Sequence, residues 1–231
     1  MKERGMIFNG EMVRAILEGR KTQTRRIMKV QPDTREFGLR RIIESSIGNE
    51  IGMYFWSQED ARGIKARSKQ FSCPHGDVSD RIWVRETFCA VPDHEEPAGC
   101  SALLYAADGN GPYGKWTPSI HMPRWASRIT LEITGVRVEQ LDKISEEDAI
   151  AEGMQGVICP SCKGDPDYST TQYDPDTLAA VDEIHCQSCE SNRSKFFALW
   201  DSIYGEANHC MGNWVWVIEF KVVPNVQDNP A

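Results

Sequence analysis

The eight residues Gly19-Arg20-Lys21-Thr22-Gln23-Thr24-Arg25-Arg26 bring two hydroxyls and four cations together, with no acid and no bulky apolar side chain. An amine near an alcohol suits general-base chemistry: a threonine hydroxyl is a weak nucleophile unaided, and a lysine can take its proton only when neutral. Burial and the neighbouring Arg20, Arg25 and Arg26 would push the lysine pKa down towards that state. A solvated basic loop is the plainer reading of the same residues.

Cysteine supplies the second constellation. Cys159-Pro160-Ser161-Cys162 and Cys186-Gln187-Ser188-Cys189 are separated by 23 residues. Two Cys-x-x-Cys knuckles of this kind offer four thiolates to a tetrahedral ion, the arrangement Zn²⁺ takes in closed structural sites. A redox dithiol needs one pair, not two, and a corner filled by sulfur leaves no place for a catalytic water. The intervening segment, rich in Asp, Thr, Tyr and Pro, has too little apolar content to fold unaided. Zinc is therefore expected as a structural cofactor held by Cys159, Cys162, Cys186 and Cys189. Cys73-Pro74-His75 lacks a partner pair and reads as a loop with a free thiol.

The bulk numbers narrow the classes. At 231 residues the chain can bury an ample core. No apolar run is long enough for a membrane span, and the charged start Met1-Lys2-Glu3-Arg4 is not a signal peptide. Two Cys pairs plus scattered single cysteines suit a reducing, cytoplasmic setting better than a disulfide scaffold. A net charge of −8 argues against broad coating of duplex phosphates. The unopposed cations at 20–29 instead suggest a local positive pocket for a small anionic or polar ligand.

The elements that must position these groups read as follows. Met12, Val13, Ile16 and Leu17 form a helical stripe opened by Asn9 or Gly10 and closed by Gly19. The basic cluster thus starts where a packed helix ends, with its side chains expected to be free for a ligand. Strands are expected at Ile7-Phe8, from Asp80 to Phe88, from Ser101 to Ala107, from Arg128 to Val138 with a bend at Gly135, and from Asn213 to Val223. Trp214, Trp216, Ile218, Phe220 and Val222 of the last are expected on one face, as core. Ser145-Glu146-Glu147-Asp148 resembles a capping box for a helix ending at Glu152-Gly153, and Arg193 to Tyr204 is a further amphipathic helix. Trp116 to Trp125, bracketed by prolines, is irregular and carries side chains that stack on nucleobases. Arg62, Lys65, Arg67 and Lys69 read as a solvated basic face. These patterns imply an α+β chain built on a mixed or antiparallel barrel with three helices.

Three separated pieces then resemble the ASCH domain of the PUA-like superfamily. They are Gly-Arg-Lys-Thr-x-Thr-x-Arg at 19–26, Asp-Arg-Ile-Trp-Val-Arg-Glu at 80–86 and, in part, Asp148-Ala149-Ile150-Ala151-Glu152-Gly153. Val-Ile-Glu-Phe-Lys at 217–221 looks like the family's last strand. The chain is similar in particular to the larger ASCH proteins of phages and prophages. The resemblance spans roughly 5–28, 76–154 and 193–222. It implies one domain over 1–231, a PUA-like mixed β-barrel with flanking helices, an insertion at 29–75, an inserted zinc-ribbon-like lobe at 155–192 and a flexible tail at 224–231.

The characterised bacterial branch of that family hydrolyses the acetyl amide of N4-acetylcytidine. The resemblance implies Lys21, Thr24 and Glu152 as the working residues: Thr24 nucleophile, Lys21 base, Glu152 acid. The dipole at a helix C-terminus disfavours negative charge, which suits Glu152 to proton donation. Arg26, Trp83, Arg85, Glu86, His121 and Arg124 are the candidates for binding substrate, Arg26 as an orienter of Glu152 or of the base carbonyl. The expected ligand is a modified nucleoside or RNA, with no membrane partner. A non-catalytic RNA or modified-base binding module, and a phage-encoded adaptor contacting a host protein through the zinc lobe, are the alternative functions.

Overall fold

The computed structural model describes residues 1–34, 36–91, 103–109, 111, 114–165, 168–174, 176–177, 179–205 and 212–225, with backbone alone for 169, 170, 172, 173 and 181–185. The strands are β1 (Glu3–Ile7), β2 (Gln23–Ile27), β3 (Gly38–Arg41), β4 (Tyr54–Asp60), β5 (Gly63–Arg67), β6 (Arg81–Arg85), β7 (Phe88–Ala90), β8 (Leu103–Tyr105), β9 (Thr130–Gln140), β10 (Ser169–Tyr173), β11 (Ala180–His185) and β12 (Trp214–Val223). The helices are α1 (Gly10–Leu17), α2 (Glu146–Ala151) and α3 (Asn192–Tyr204).

The main sheet runs β1-β6-β9-β12-β2, with β1 parallel to β6 and the other neighbours antiparallel. Its spine is β12. Trp216, Ile218 and Phe220 join Ile82, Val84, Leu131 and Ile133 in one core, which α1 completes with Val13 and Ile16. Val215 and Val217 turn the other way, into a second core with Leu141, Ile144, Ala149, Met154, Phe196 and Trp200. The expected single apolar face of this strand is thus half of the arrangement. A strand covered on both sides reads as a continuous apolar run. The bend expected at Gly135 is a bulge: the pairing passes from Glu219↔Gly135 to Phe220↔Ile133 and leaves Thr134 over. A Cβ on Gly135 would sit 2.6 Å from Glu219 Oε2, so only glycine lets that carboxylate lie across the strand.

The mixed α+β character is as expected, but the sheet does not close into a barrel among the described residues. Its edges are β1 and β2. They are joined by a side chain and not by a ladder: Arg26 Nη2 donates to the Ile7 carbonyl at 2.7 Å, and its guanidinium lies 5.2 Å from the Phe8 ring centroid. Arg26 therefore holds the seam and does not hydrogen-bond to Glu152, the role expected of it.

The segment at 29–75 is tied to the main core. Antiparallel β3-β4-β5 sends Trp56 and Tyr54 inward, where their rings meet Trp214 at 5.0 Å and Trp216 at 5.1 Å. Trp56 is 1% exposed, and its indole N–H donates to the Val30 carbonyl at 3.1 Å. Arg62, Lys65, Arg67 and Lys69 are exposed, as a solvated face requires. At the other end, Asn225 is anchored by the Ser127 carbonyl and the Arg124 guanidinium, and residues 226–231 of the expected tail lie outside the described residues.

The α2 and α3 starts are fastened to each other. Ser145 caps α2 through the Asp148 N–H, and Ser191 caps α3 through the Ser194 N–H. The Glu146 carboxylate then accepts from the Asn192 and Arg193 N–H groups at 2.9 and 3.0 Å. Those N–H donors hold its pKa below the ordinary value. No described helix is long and apolar enough to cross a membrane.

If 29–75 is integral to the fold, Trp56→Ala costs about 3–5 kcal/mol, read as a lower urea midpoint with an unchanged slope. A loss well under 1 kcal/mol, on that same scale, would show the three-stranded sheet to be a detachable accessory.

Candidate functional site

The basic segment threads between the ends of two helices. Asn9 Oδ1 accepts the Met12 N–H at 2.8 Å to start α1, and Gly19 turns the chain out of it at φ 72°. Lys21 N then donates to the Ala15 carbonyl and Thr22 N to the Ala151 carbonyl, both at 2.9 Å. These bonds set Lys21 opposite Glu152, the C-terminal cap of α2. Gly153 follows at φ 90°, where a Cβ would come within 2.9 Å of Ala15 Cβ and 3.0 Å of Lys21 Cβ. Glycine is needed there both for the turn and for the closeness of the lysine stem.

Lys21 Nζ donates to Glu152 Oε2 and to the Glu152 carbonyl, each at 2.8 Å. Arg25 Nη1 reaches Glu152 Oε1 at 3.2 Å, while Nη2 reaches Asp148 Oδ2 at 2.8 Å and Glu139 Oε2 at 2.9 Å. Gln23 Nε2 donates to Asp148 at 3.0 Å. Arg137 extends the network to Glu139, Asp148 and Glu219. The Lys21 and Arg25 side chains are fully buried and that of Glu152 is 2% exposed. Charges so far from water persist only when partners satisfy them. The expectation that these side chains stay free for a ligand is corrected accordingly: Arg20 pairs with Glu18 and the carbonyls of Gly153 and Gln155, and Lys21, Thr24 and Arg25 are interior.

Desolvation pulls the Lys21 pKa down, against the Glu152 charge and hydrogen bond that support it, with Arg26 and Arg25 adding to the depression. Burial opposes the Asp148 charge, yet the Gln23 amide and the Arg25 and Arg137 guanidiniums outweigh it, and its pKa falls. Glu152 takes hydrogen bonds from cations on both carboxyl oxygens.

Beside this pair lies a cavity of about 20 Å³, lined by Met12, Thr24, Arg25, Arg26 and Glu152 and walled by α3 through Phe196, Leu199, Trp200, Ile203 and Tyr204. It has room for about one water molecule. No described residue hydrogen-bonds the Thr24 hydroxyl. Lys21, Thr24 and Glu152, named from sequence, are thus brought together, Thr24 through the cavity wall that it shares with Glu152.

The other named residues lie elsewhere. Arg85 donates to the Ile120 carbonyl and sits over the Trp83 ring at 5.3 Å. Glu86, 2% exposed, is gripped by Arg128 at 3.0 Å through both oxygens; burial pushes its pKa up against that pairing. Arg124 clamps Glu3 at 2.9 Å, and His121 is exposed. None of these five lines the cavity. Arg25, Asp148 and the α3 wall were missed. Their signal was present: Asp148 and Glu152 are four apart and share a helix face, and a strand with Gln23 and Arg25 at alternate positions needs acids to face them.

The four cysteines converge as their spacing requires. Their sulfurs all lie within 4.8 Å of one another, with Cys159–Cys186 at 3.7 Å and Cys162–Cys189 at 3.5 Å. Four sulfurs about 2.3 Å from one ion stand about 3.8 Å apart at tetrahedral corners, whereas a disulfide requires about 2.05 Å. Burial works against the Cys159 thiolate, but the N–H groups of Cys162 and Ser161 hold its pKa down to about 7. The donor set therefore fits a metal ion. Between the pairs, β10 and β11 form an antiparallel hairpin.

Fold and site together define an α+β chain with a buried lysine–carboxylate–arginine cluster and a separate four-cysteine centre. Compared with family models, curated proteins and solved structures, the chain has no match.

Zinc is expected to bind at one ion per chain, and Cys186→Ser to weaken it by orders of magnitude. Chelation should raise hydrogen exchange over 155–189 and leave β6, β9 and β12 protected. Loss of protection throughout the main sheet would show that the lobe supports the whole fold.

Proposed function

We propose that this protein is an amidohydrolase that removes an acyl group from N4-acylated cytidine or a related modified nucleoside. The plan is that of an ASCH, PUA-like protein, with zinc in a structural lobe. One observation carries the proposal. Lys21 and Glu152, 131 positions apart, meet as a buried pair at 2.8 Å, and Glu152 shares a cavity with Thr24. A merely structural ion pair does not require a threonine hydroxyl without a partner among the described residues beside it.

In the proposed reaction the Thr24 oxygen attacks the acyl carbon and its proton passes to the Lys21–Glu152 pair. The carbon–nitrogen bond breaks, the proton moves to the departing cytosine amine, and water then cleaves the threonyl ester to release the carboxylic acid. Lys21 takes the proton when neutral, which its burial favours. Arg25 fixes the Glu152 carboxylate. Cys159, Cys162, Cys186 and Cys189 would hold zinc with every corner filled by sulfur, so the ion supplies cross-linking of the lobe.

Incubation with N4-acylated cytidines should release cytidine. Thr24→Ala and Lys21→Ala should lower kcat by about 10³-fold or more, the first with little change in stability and the second with a loss of about 3–5 kcal/mol from stranding the buried Glu152 carboxylate; normal turnover in either would remove that residue from the chemistry. Because only the neutral lysine accepts a proton, kcat/KM should rise with pH through a midpoint below the ordinary lysine value of 10.5. A flat profile across the alkaline range would sink the lysine-base role. The exposed cations at 62–69 favour a second reading, a modified-base or RNA binding module. It would be marked by RNA affinity with a steep salt dependence and no turnover.

A further inference from the structure

Three consecutive residues, Thr24, Arg25 and Arg26, line the same cavity. Side chains of consecutive strand residues point to opposite faces. A cavity that touches all three therefore runs along an edge of the strand and not over one face. β2 is an edge strand, paired with β12 on one side alone. The Phe220 N–H donates to the Thr22 carbonyl and the Met28 N–H to the Trp214 carbonyl, which sets the even-numbered residues of β2 towards β12. The main-chain N–H and C=O of Gln23, Arg25 and Ile27 consequently face the open side.

Arg25 is the middle residue of that edge and of the cavity floor. It is 3% exposed, yet no described residue pairs with its main-chain N–H or C=O. Two side-chain donors nearby are also left over: Arg25 Nε and Arg26 Nε are buried without a hydrogen-bond partner among the described residues. Buried donors without partners are rare, and here three fall on two adjacent residues of one cavity. The opposite wall is aromatic and aliphatic, from α3.

We propose that the open edge of β2 at Arg25 reads the ligand. A planar group carrying a hydrogen-bond acceptor beside an N–H pairs with the Arg25 main-chain N–H and C=O as an added strand would. The ring stacks towards Phe196 and Trp200, and one of the spare Nε–H groups is available to the ligand's remaining carbonyl oxygen. An N-acylated cytosine has this pattern on its ring edge, where the N4–H donor lies beside the N3 acceptor. The ligand class rests on the amidohydrolase reading; the edge geometry does not. The cavity is smaller than a pyrimidine ring, so entry moves the half-buried Leu199 and Tyr204 and the exposed Ile203 at its mouth.

The test is a calorimetric titration of Thr24→Ala protein with N4-acetylcytidine and with N4-acetyl-N4-methylcytidine, which lacks the amide N–H. The methylated nucleoside should bind at least about tenfold more weakly, the scale of one lost buried hydrogen bond. In a second arm, Arg25→Pro is compared with Arg25→Ala. Both lose the guanidinium, but only proline lacks the N–H, and an outward N–H on an edge strand is where proline is tolerated. The proline variant should bind about tenfold more weakly than the alanine variant. If either fails to fold, the nucleoside pair decides alone. Equal affinity for the two nucleosides, or binding of neither, overturns the proposal. N–H-dependent binding without hydrolysis by the wild-type protein would keep the edge and discard the hydrolase; equal hydrolysis of both nucleosides would do the reverse.

Discussion

The contact on which the rest depends is the buried pair of Lys21 and Glu152. An ammonium and a carboxylate withdrawn from water are stable only in close geometry with their remaining hydrogen-bonding capacity used. That demand reaches outward. It fixes the exit from α1, because Lys21 N must reach the Ala15 carbonyl, and the exit from α2, because Gly153 must make room for the lysine stem. It also recruits Arg25, whose guanidinium links Glu152 to Asp148 and Glu139. Two helix ends and three strands are thereby held to one electrostatic centre.

The sheet supplies the rigidity for this. β12 is buried on both faces, so its neighbours β9 and β2 are located by packing from two cores at once. An open edge in such a sheet ordinarily invites unwanted pairing. Here α3 covers the β2 edge with Phe196, Trp200 and Tyr204 while leaving a small void at Arg25. The other edge is tied across the seam by Arg26. Two adjacent arginines on one strand thus have different tasks, one turned to the acids of α2 and the other to the carbonyl of β1.

Much of this was legible in the residues. Asn9 and Gly19 announced α1, Ser145 announced α2, and the bend at Gly135 followed from a glycine inside an alternating strand. The two Cys-x-x-Cys pairs announced their own convergence, since metal-ligand spacing is local chemistry. Barrel closure was not legible, because it turns on whether two edge strands meet through a ladder or through one guanidinium. The placement of Arg85, Glu86 and Arg124 was equally hidden: ionisable residues in strands and loops serve a ligand or an ion pair with the same sequence signature, and here Arg128, Glu3 and neighbouring carbonyls claim them. Arg25 was overshadowed by Lys21 and Arg26, although its alternation with Gln23 marked the face that the acids of α2 cover.

The Glu146 carboxylate closes a joint between the start of α2 and the start of α3 with no help from the cysteines. The described residues between Ile158 and Glu190 therefore hang from a frame that is already shut. Chain length in such an excursion costs little, about 0.6 kcal/mol for each doubling. The lobe is in this sense a graft site: a bare reverse turn or a different folded module spliced in at the same place would leave the lysine, its acid and the aromatic cover where they stand.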